Sequence, residues 1–229
     1  MAIPHLPAVC GHPAFGSLGM THRPNLTNAL RLIAITDDMR DGLDGLVARS
    51  TAATRGGATM VQLRLKNLDP RDLVHVAHAL VAALPVPVIM NDRADVALAA
   101  GAAGVHVGTD DIPAKALRRI VPPGFIIGAS VGSDEELANA DGADYVGIGP
   151  VFATRSKADA GEAIGAAELA RLARRVGLPA VAIGGIDPTN IGEALAAGAR
   201  GVAVIRAIFA ARDPELAARA LSSASESSA

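Results

Sequence analysis

The sequence is poor in several things, and each shortage excludes a class of function. It has one cysteine, Cys10, in 229 residues. No internal disulfide can form, and a reducing cytoplasm is the expected setting. Aromatic residues make up 2% with no tryptophan, so platforms for stacking nucleic-acid bases are not expected. Neither sign of charge dominates: the formal net charge is -2 and the pI about 6.3. That balance argues against binding nucleic acid or an anionic membrane through a basic surface. No apolar run approaches the ~20 residues that cross a bilayer. The opening stretch MAIPHLPAVCGHPAFGSLGMTHRPNLT has no continuous apolar segment of the signal-peptide kind.

What is abundant is hydrophobic residues, half of the chain. That is enough for one sizeable core, at a length α/β barrels commonly use as one domain. Residues 1–28, rich in Pro, Gly and His, read as an N-terminal extension, either mobile or a strap. Residues 29–221 read as the domain, and 222–229, ending in SSASESSA, as a disordered tail. His5, Cys10, His12 and His22 lie in the extension at spacings that fit no zinc pattern.

The middle of the chain alternates two patterns. Eight short apolar runs occur, at 32–35, 59–63, 86–90, 104–107, 125–129, 145–148, 180–183 and 202–205. Between them apolar residues recur at helical spacing, such as Leu73, Ala77, Leu80 and Leu84. Strand and helix in alternation predict a parallel sheet. The words GATMVQLR, GAAGVHVG, GADYVGIG and GARGVAVI, opening at Gly57, Gly101, Gly142 and Gly198, form a weak repeat on the even strands. Even and odd strands fill alternate interior layers of an eight-fold barrel, so the expected fold is α/β, a single (β/α)8 TIM barrel with an N-terminal extension. An open doubly wound sheet is the alternative.

In such a barrel the active site lies at the C-terminal ends of the strands. Those ends carry Thr36-Asp37-Asp38, Gln62 to Lys66, Asn91-Asp92-Arg93, Thr109-Asp110-Asp111, Ser130, Gly149 to Lys157, Gly184-Gly185 and Ile205-Arg206. Asp92 and Asp111 end neighbouring strands, where two carboxylates with open positions suit Mg²⁺. An acid/base pair or two helix caps are the other readings. Gln62, Arg64 and Lys66 share one strand face by the period of two, and the two cations suit phosphate oxygens. Pairing with nearby acids would explain them equally. The loop GPVFATRSKADAG offers Thr154, Ser156 and Lys157 to an anion, with Gly161 as a hinge, unless it is simply solvated. Gly184-Gly185 and the residues after the eighth strand fall where barrels often bind phosphate. Together these charges suggest a diphosphate substrate and a second bearing a monophosphate.

These residues resemble those of the thiamine-phosphate synthases. The resemblance runs over roughly 32–208 and is carried by QLRLK, NDRADVALA, GVHVGTDD, IGASVGSDEE, GADYVGIGPVFATRSK, VAIGGI and GARGVAVIRAI in that order. It implies a barrel enzyme of thiamine biosynthesis, a transferase. Such an enzyme joins 4-amino-2-methyl-5-(diphosphooxymethyl)pyrimidine to a thiazole phosphate, giving thiamine phosphate and diphosphate by a dissociative route. By position it implies that Gln62, Arg64, Lys66, Asn91, Ser130 and Lys157 hold the pyrimidine diphosphate. Arg64, Lys66, Ser130 and Lys157 would act in catalysis. Asp92 and Asp111 would hold Mg²⁺, and Thr154, Ser156, Gly185, Ile205 and Arg206 would contact the thiazole phosphate. The implied partners are small molecules; a homo-oligomer is compatible with the sequence.

The chain departs from the family pattern in the absence of a Tyr near the start of LIAIT. It also has Gly132 for a usual His, Ser156 for Thr, and Arg206 for Ser. Two other readings fit parts of the pattern. A thiazole tautomerase shares the fold and thiazole pocket but needs an acid/base residue, typically His, at the mouth. His106, on an apolar strand, reads instead as a satisfied core residue. A non-catalytic paralogue that binds phosphorylated ligands or a partner protein would draw its support from Gly132 and Arg206.

Overall fold

The computed structural model describes residues 25–154 and 161–226. The expectations for Cys10 and the three N-terminal histidines, and for Ser156 and Lys157, lie outside the described residues. Eight parallel strands close a barrel in chain order. They are β1 (Leu32–Ile35), β2 (Met60–Leu63), β3 (Val88–Asn91), β4 (Gly104–Val107), β5 (Ile126–Val131), β6 (Tyr145–Ile148), β7 (Ala180–Ile183) and β8 (Gly201–Val204). Leu32, Ile33 and Ala34 of β1 pair with Val202, Ala203 and Val204 of β8, which removes both sheet edges and excludes the open doubly wound alternative.

Around the barrel run α1 (Leu26–Ala29), α2 (Gly42–Arg55), α3 (Pro70–Ala83), α4 (Ala94–Ala100), α5 (Ala114–Arg118), α6 (Gly165–Val176), α7 (Ile191–Ala196), α8 (Arg206–Phe209) and α9 (Pro214–Glu226). The link from β5 to β6 is a 3-10 helix, Glu135–Ala140.

The period of two along each strand sorts the apolar residues into two cores. Outward residues such as Leu32, Val61, Met90 and Val105 pack against helix residues including Leu46, Leu80, Leu169 and Leu172 in an outer ring. Inward residues Ile33, Ile35, Met60, Ile89, Ile126, Tyr145, Val181, Ala203 and Ile205 form a separate inner core. Ala29 and Leu30 join it from the chain just before β1. The inner core is thus built largely of apolar side chains, and the cavity opens above it at the C-terminal strand ends.

The Gly-Ala words mark where the chain turns from a helix into an even strand. Gly57, Gly101, Gly142 and Gly198 all have positive φ, at 111, 69, 87 and 96°. That conformation costs a residue with a Cβ, and glycine adopts it freely. In three of them the following alanine reaches back to the helix: Ala58 N–H to Ala53 O (3.0 Å), Ala102 to Ala97 (2.9 Å) and Ala199 to Ala194 (3.3 Å). These bonds satisfy helix-end carbonyls. The link after the 3-10 helix is shorter, Ala143 N–H to Ala140 O.

Both expected domain limits shift. Leu26, within the expected extension, packs on the inner core. Helix α9 continues through Ser222 to Glu226, inside the segment expected to be a disordered tail. Burial of Ala218 and Leu221 holds that helix, and Arg31 pairs with Glu226 at 3.0 Å. Docking supplies the helical stability that the serine-rich composition lacks.

Candidate active site

A cavity of about 1310 Å³ opens at the C-terminal ends of the strands. Every expected site residue that the structure describes lines it: Gln62, Arg64, Lys66, Asn91, Asp92, Asp111, Ser130, Thr154, Gly185, Ile205 and Arg206. The cavity therefore collects residues from seven different strand ends.

At one side β2 and β3 present the amides and cations. Gln62 is buried, and its Nε2 donates to Asn91 Oδ1 at 3.2 Å. Beyond it the strand ends, and Arg64 is held by its backbone. The buried Thr36 hydroxyl accepts from Arg64 N at 2.8 Å, and Thr36 N donates to Gln62 O at 2.9 Å. With its main chain pinned, the Arg64 guanidinium makes no hydrogen bond or ion pair among the described residues, and Lys66 stands exposed beside it. Asp37 and Asp38 turn away from this mouth. Asp37 takes Arg49 Nη1 at 2.8 Å and Arg40 Nη1 at 3.2 Å, so these acids do not neutralise Arg64.

Asp92 is the one non-glycine residue with positive φ, 64°, among the described residues. This left-handed conformation is accessible to Asp but strained, by ~1–2 kcal/mol. It is locked by Asp92 N–H donating to His106 O at 2.8 Å across to β4. Its carboxyl is pushed up to about 6 by burial, then by a hydrogen bond to Asp111 and repulsion from that carboxylate, against the pull of Lys66 and Arg64. Asp111 in turn accepts Gly108 N–H on Oδ2 at 2.7 Å.

Neither aspartate is a helix cap. The N-cap of α4 is Arg93 and that of α5 is Pro113, and neither makes a side-chain cap hydrogen bond. Two half-buried carboxylates pressed together, with cations only on one flank, form a donor set that a divalent metal would relieve. Asp92 and Asp111 are the pair that could hold such a metal here.

The floor of the cavity comes from β4, β5 and β6. Ser130 Oγ lies 3.1 Å from His106 Nε2, and His106 Nδ1 lies 3.0 Å from the hydroxyl of the buried Tyr145. Burial, with Asp144 nearby, pushes the Tyr145 phenol upward, so it stays protonated. His106 is thus a satisfied interior residue, as expected, but one that also reaches the cavity surface. Reading the chain alone missed Tyr145, His106 and Glu136 as lining groups. The inward period of two reached the first two, whereas nothing local marked Glu136, whose Oε2 accepts Gly132 N–H at 2.6 Å.

The opposite side is built from backbone. Gly184 and Gly185 have φ of 96 and 64°. A Cβ on Gly185 would fall 2.5 Å from Ala153 O, so glycine is required there on both counts. Asn190 ties the loop, donating Nδ2 to Gly185 O at 2.8 Å and accepting Asp187 N–H at 2.9 Å. Thr154 also lines the cavity, and the exposed Arg206 opens α8 with no ion pair among the described residues.

Similarity to known proteins extends over nearly the whole barrel. Residues 32–208 match the profile of the family described as thiamine monophosphate synthase. The chain belongs to the thiamine monophosphate synthase family. It is 50% identical over 192 residues to the thiamine-phosphate synthase of Roseiflexus sp. (strain RS-1), covering 82% of this chain and 81% of that one. It is 52% identical over 180 residues to that of Methanoculleus marisnigri, covering 76% and 84%. Among solved structures, thiamine phosphate pyrophosphorylase from Pyrococcus furiosus superposes with a TM-score of 0.80 at 40% identity, covering 89% of this chain and 98% of that one.

Proposed function

We propose that this chain is a thiamine-phosphate synthase, a transferase with diphosphate as leaving group. It would join 4-amino-2-methyl-5-(diphosphooxymethyl)pyrimidine to a thiazole phosphate. The observation that carries the reading is the division of one cavity into two anion-suited sides. Arg64, Lys66, Asn91, Ser130 and the Asp92–Asp111 pair stand on one, and Thr154, Gly185 and Arg206 on the other.

In the reaction the bond between the pyrimidine methylene carbon and the diphosphate oxygen breaks, and its electron pair leaves on diphosphate. The thiazole nitrogen's lone pair forms the new C–N bond. Arg64 and Lys66 would grip the diphosphate as its charge grows, in a site where such charges interact more strongly than in water. Gln62 and Asn91, already bonded to each other, form a preorganised amide wall beside it. Asp92 and Asp111 would hold Mg²⁺, which when bound neutralises charge on the departing group. Lys157 joins this set by family resemblance. Among the described residues no helix is long and apolar enough to cross a membrane; a cytoplasmic setting remains our reading of the single cysteine.

The deciding experiment incubates the purified chain with both substrates, with and without Mg²⁺, and follows thiamine phosphate and diphosphate. Equal amounts of both products, dependent on Mg²⁺, are expected. Tight binding of either ligand without product would instead make the chain a non-catalytic paralogue.

A further inference from the structure

We infer that Tyr145, acting through His106, fixes the Ser130 hydroxyl as a hydrogen-bond donor aimed into the cavity, which makes Tyr145 and His106 positioning residues. The inference starts from a buried group with one choice. The Tyr145 side chain is 1% exposed, and among the described residues its hydroxyl has a single hydrogen-bond partner, His106 Nδ1. A buried hydroxyl that donates to nothing costs free energy, so the proton lies toward Nδ1. His106 Nδ1 is then the acceptor.

A neutral imidazole carries its one proton on the other nitrogen. His106 Nε2–H therefore donates to Ser130 Oγ. That hydroxyl, having accepted, keeps its own proton for the cavity it lines. The direction of both hydrogen bonds, and with it that of the Ser130 proton, is set from the barrel interior outward. Ser130 meets an anionic oxygen as a donor; with the other tautomer its proton would be turned back toward the imidazole.

The packing is consistent with a built device. A Cβ on Gly128 would lie 2.3 Å from Tyr145 Cζ and 2.5 Å from His106 Nδ1. One on Gly147 would lie 3.1 Å from His106 Cε1. Glycines on β5 and β6 thus clear the space in which the two rings meet, their centroids 5.5 Å apart.

The test has an arm free of activity and an arm that rests on the proposed synthase reaction. Nitrogen NMR of the ¹⁵N-histidine protein, with His106→Asn to assign the signals, should show His106 protonated on Nε2 and bare on Nδ1. The mixture should shift toward the other tautomer in Tyr145→Phe, which keeps the buried ring. In the kinetic arm Tyr145→Phe should lower kcat/KM for the pyrimidine diphosphate by about three- to tenfold, the scale of one neutral hydrogen bond. The same change in a Ser130→Ala background should cost nothing further. Nδ1 protonation in the wild type, or an equal loss with and without the Ser130 hydroxyl, overturns the inference. Wild-type protein that turns over no substrate would defeat the synthase reading, leaving the NMR result to decide this one.

Discussion

The carboxyls of Asp92 and Asp111 crowd each other at the cavity mouth, and burial, with that neighbour, raises the Asp92 carboxyl to about 6. Burial and the neighbouring carboxylate both make ionising Asp92 costly. The folded chain therefore holds a proton that the unfolded chain, with an ordinary Asp at 3.8, releases. The sign follows: this proton stabilises the fold fully below the ordinary carboxyl range, and that contribution is lost as pH rises through about 6. On the proposed Mg²⁺ site, a metal that needs the Asp92 carboxylate ionised would have to displace its proton below that point. The rise in Tm on adding Mg²⁺ should be small well below pH 6 and reach its full size above it. Asp92→Asn should abolish the rise while leaving the apo Tm unchanged or higher, because Asn tolerates the same left-handed backbone. A rise independent of pH, or retained in Asp92→Asn, would remove the metal from this pair.

Lys157 lies outside the described residues and is placed by family resemblance alone. On the proposed reaction it contacts the diphosphate more strongly as charge develops than in the bound substrate. Lys157→Ala should then lower kcat and kcat/KM together. A change confined to KM would make it a binding residue only.

Arg206 stands where the family usually has Ser, exposed at the start of α8 and lining the cavity. Its guanidinium is suited to two parallel bonds with a phosphate. Arg206→Ser should weaken thiazole-phosphate binding by ~1–3 kcal/mol, as for a charged hydrogen bond. Affinity for the pyrimidine diphosphate should not move. Calorimetric titration with each ligand separates the two, and tighter thiazole binding in the Ser variant would show Arg206 to be an obstacle.

Gly128 and Gly147 make a graded pair. The Cβ of Gly128→Ala would enter the Tyr145 ring, while that of Gly147→Ala would only crowd His106. Overpacking of the first kind costs ~1–3 kcal/mol or more. Denaturant unfolding should rank Gly128→Ala well below wild type, with Gly147→Ala between them. Equal stability of the two variants would mean that the interior rings are free to move aside.

Much of the barrel is legible in the chain because it follows from local periods. Alternation along strands and helical spacing between them place all eight strands within two residues of their observed limits. The Gly-Ala words foretell the even strands for a backbone reason, the positive φ at each glycine. The candidate site was legible for a related reason. In a parallel barrel every strand's C-terminal end meets the same mouth, so residues after Leu63, Asn91 and Val204 must converge however far apart they lie in sequence.

Other features had no local signal. Ser222 to Glu226 look like a polar tail, yet they extend a helix held by Leu221 in the core. Asp37 looks like a mouth residue, yet Arg49 on α2 draws it away.

Composition and period by themselves determined that this chain would be a parallel barrel with a polar mouth, since hydrophobic burial depends only on which residues alternate. Tertiary structure alone decided the pairwise contacts at that mouth: Asp92 beside Asp111, and His106 between Tyr145 and Ser130 within hydrogen-bond distance of both. A hydrogen bond requires two atoms about 3 Å apart in the right direction. That distance is set by strand register and by the glycines that let rings meet, neither of which is written in any one residue.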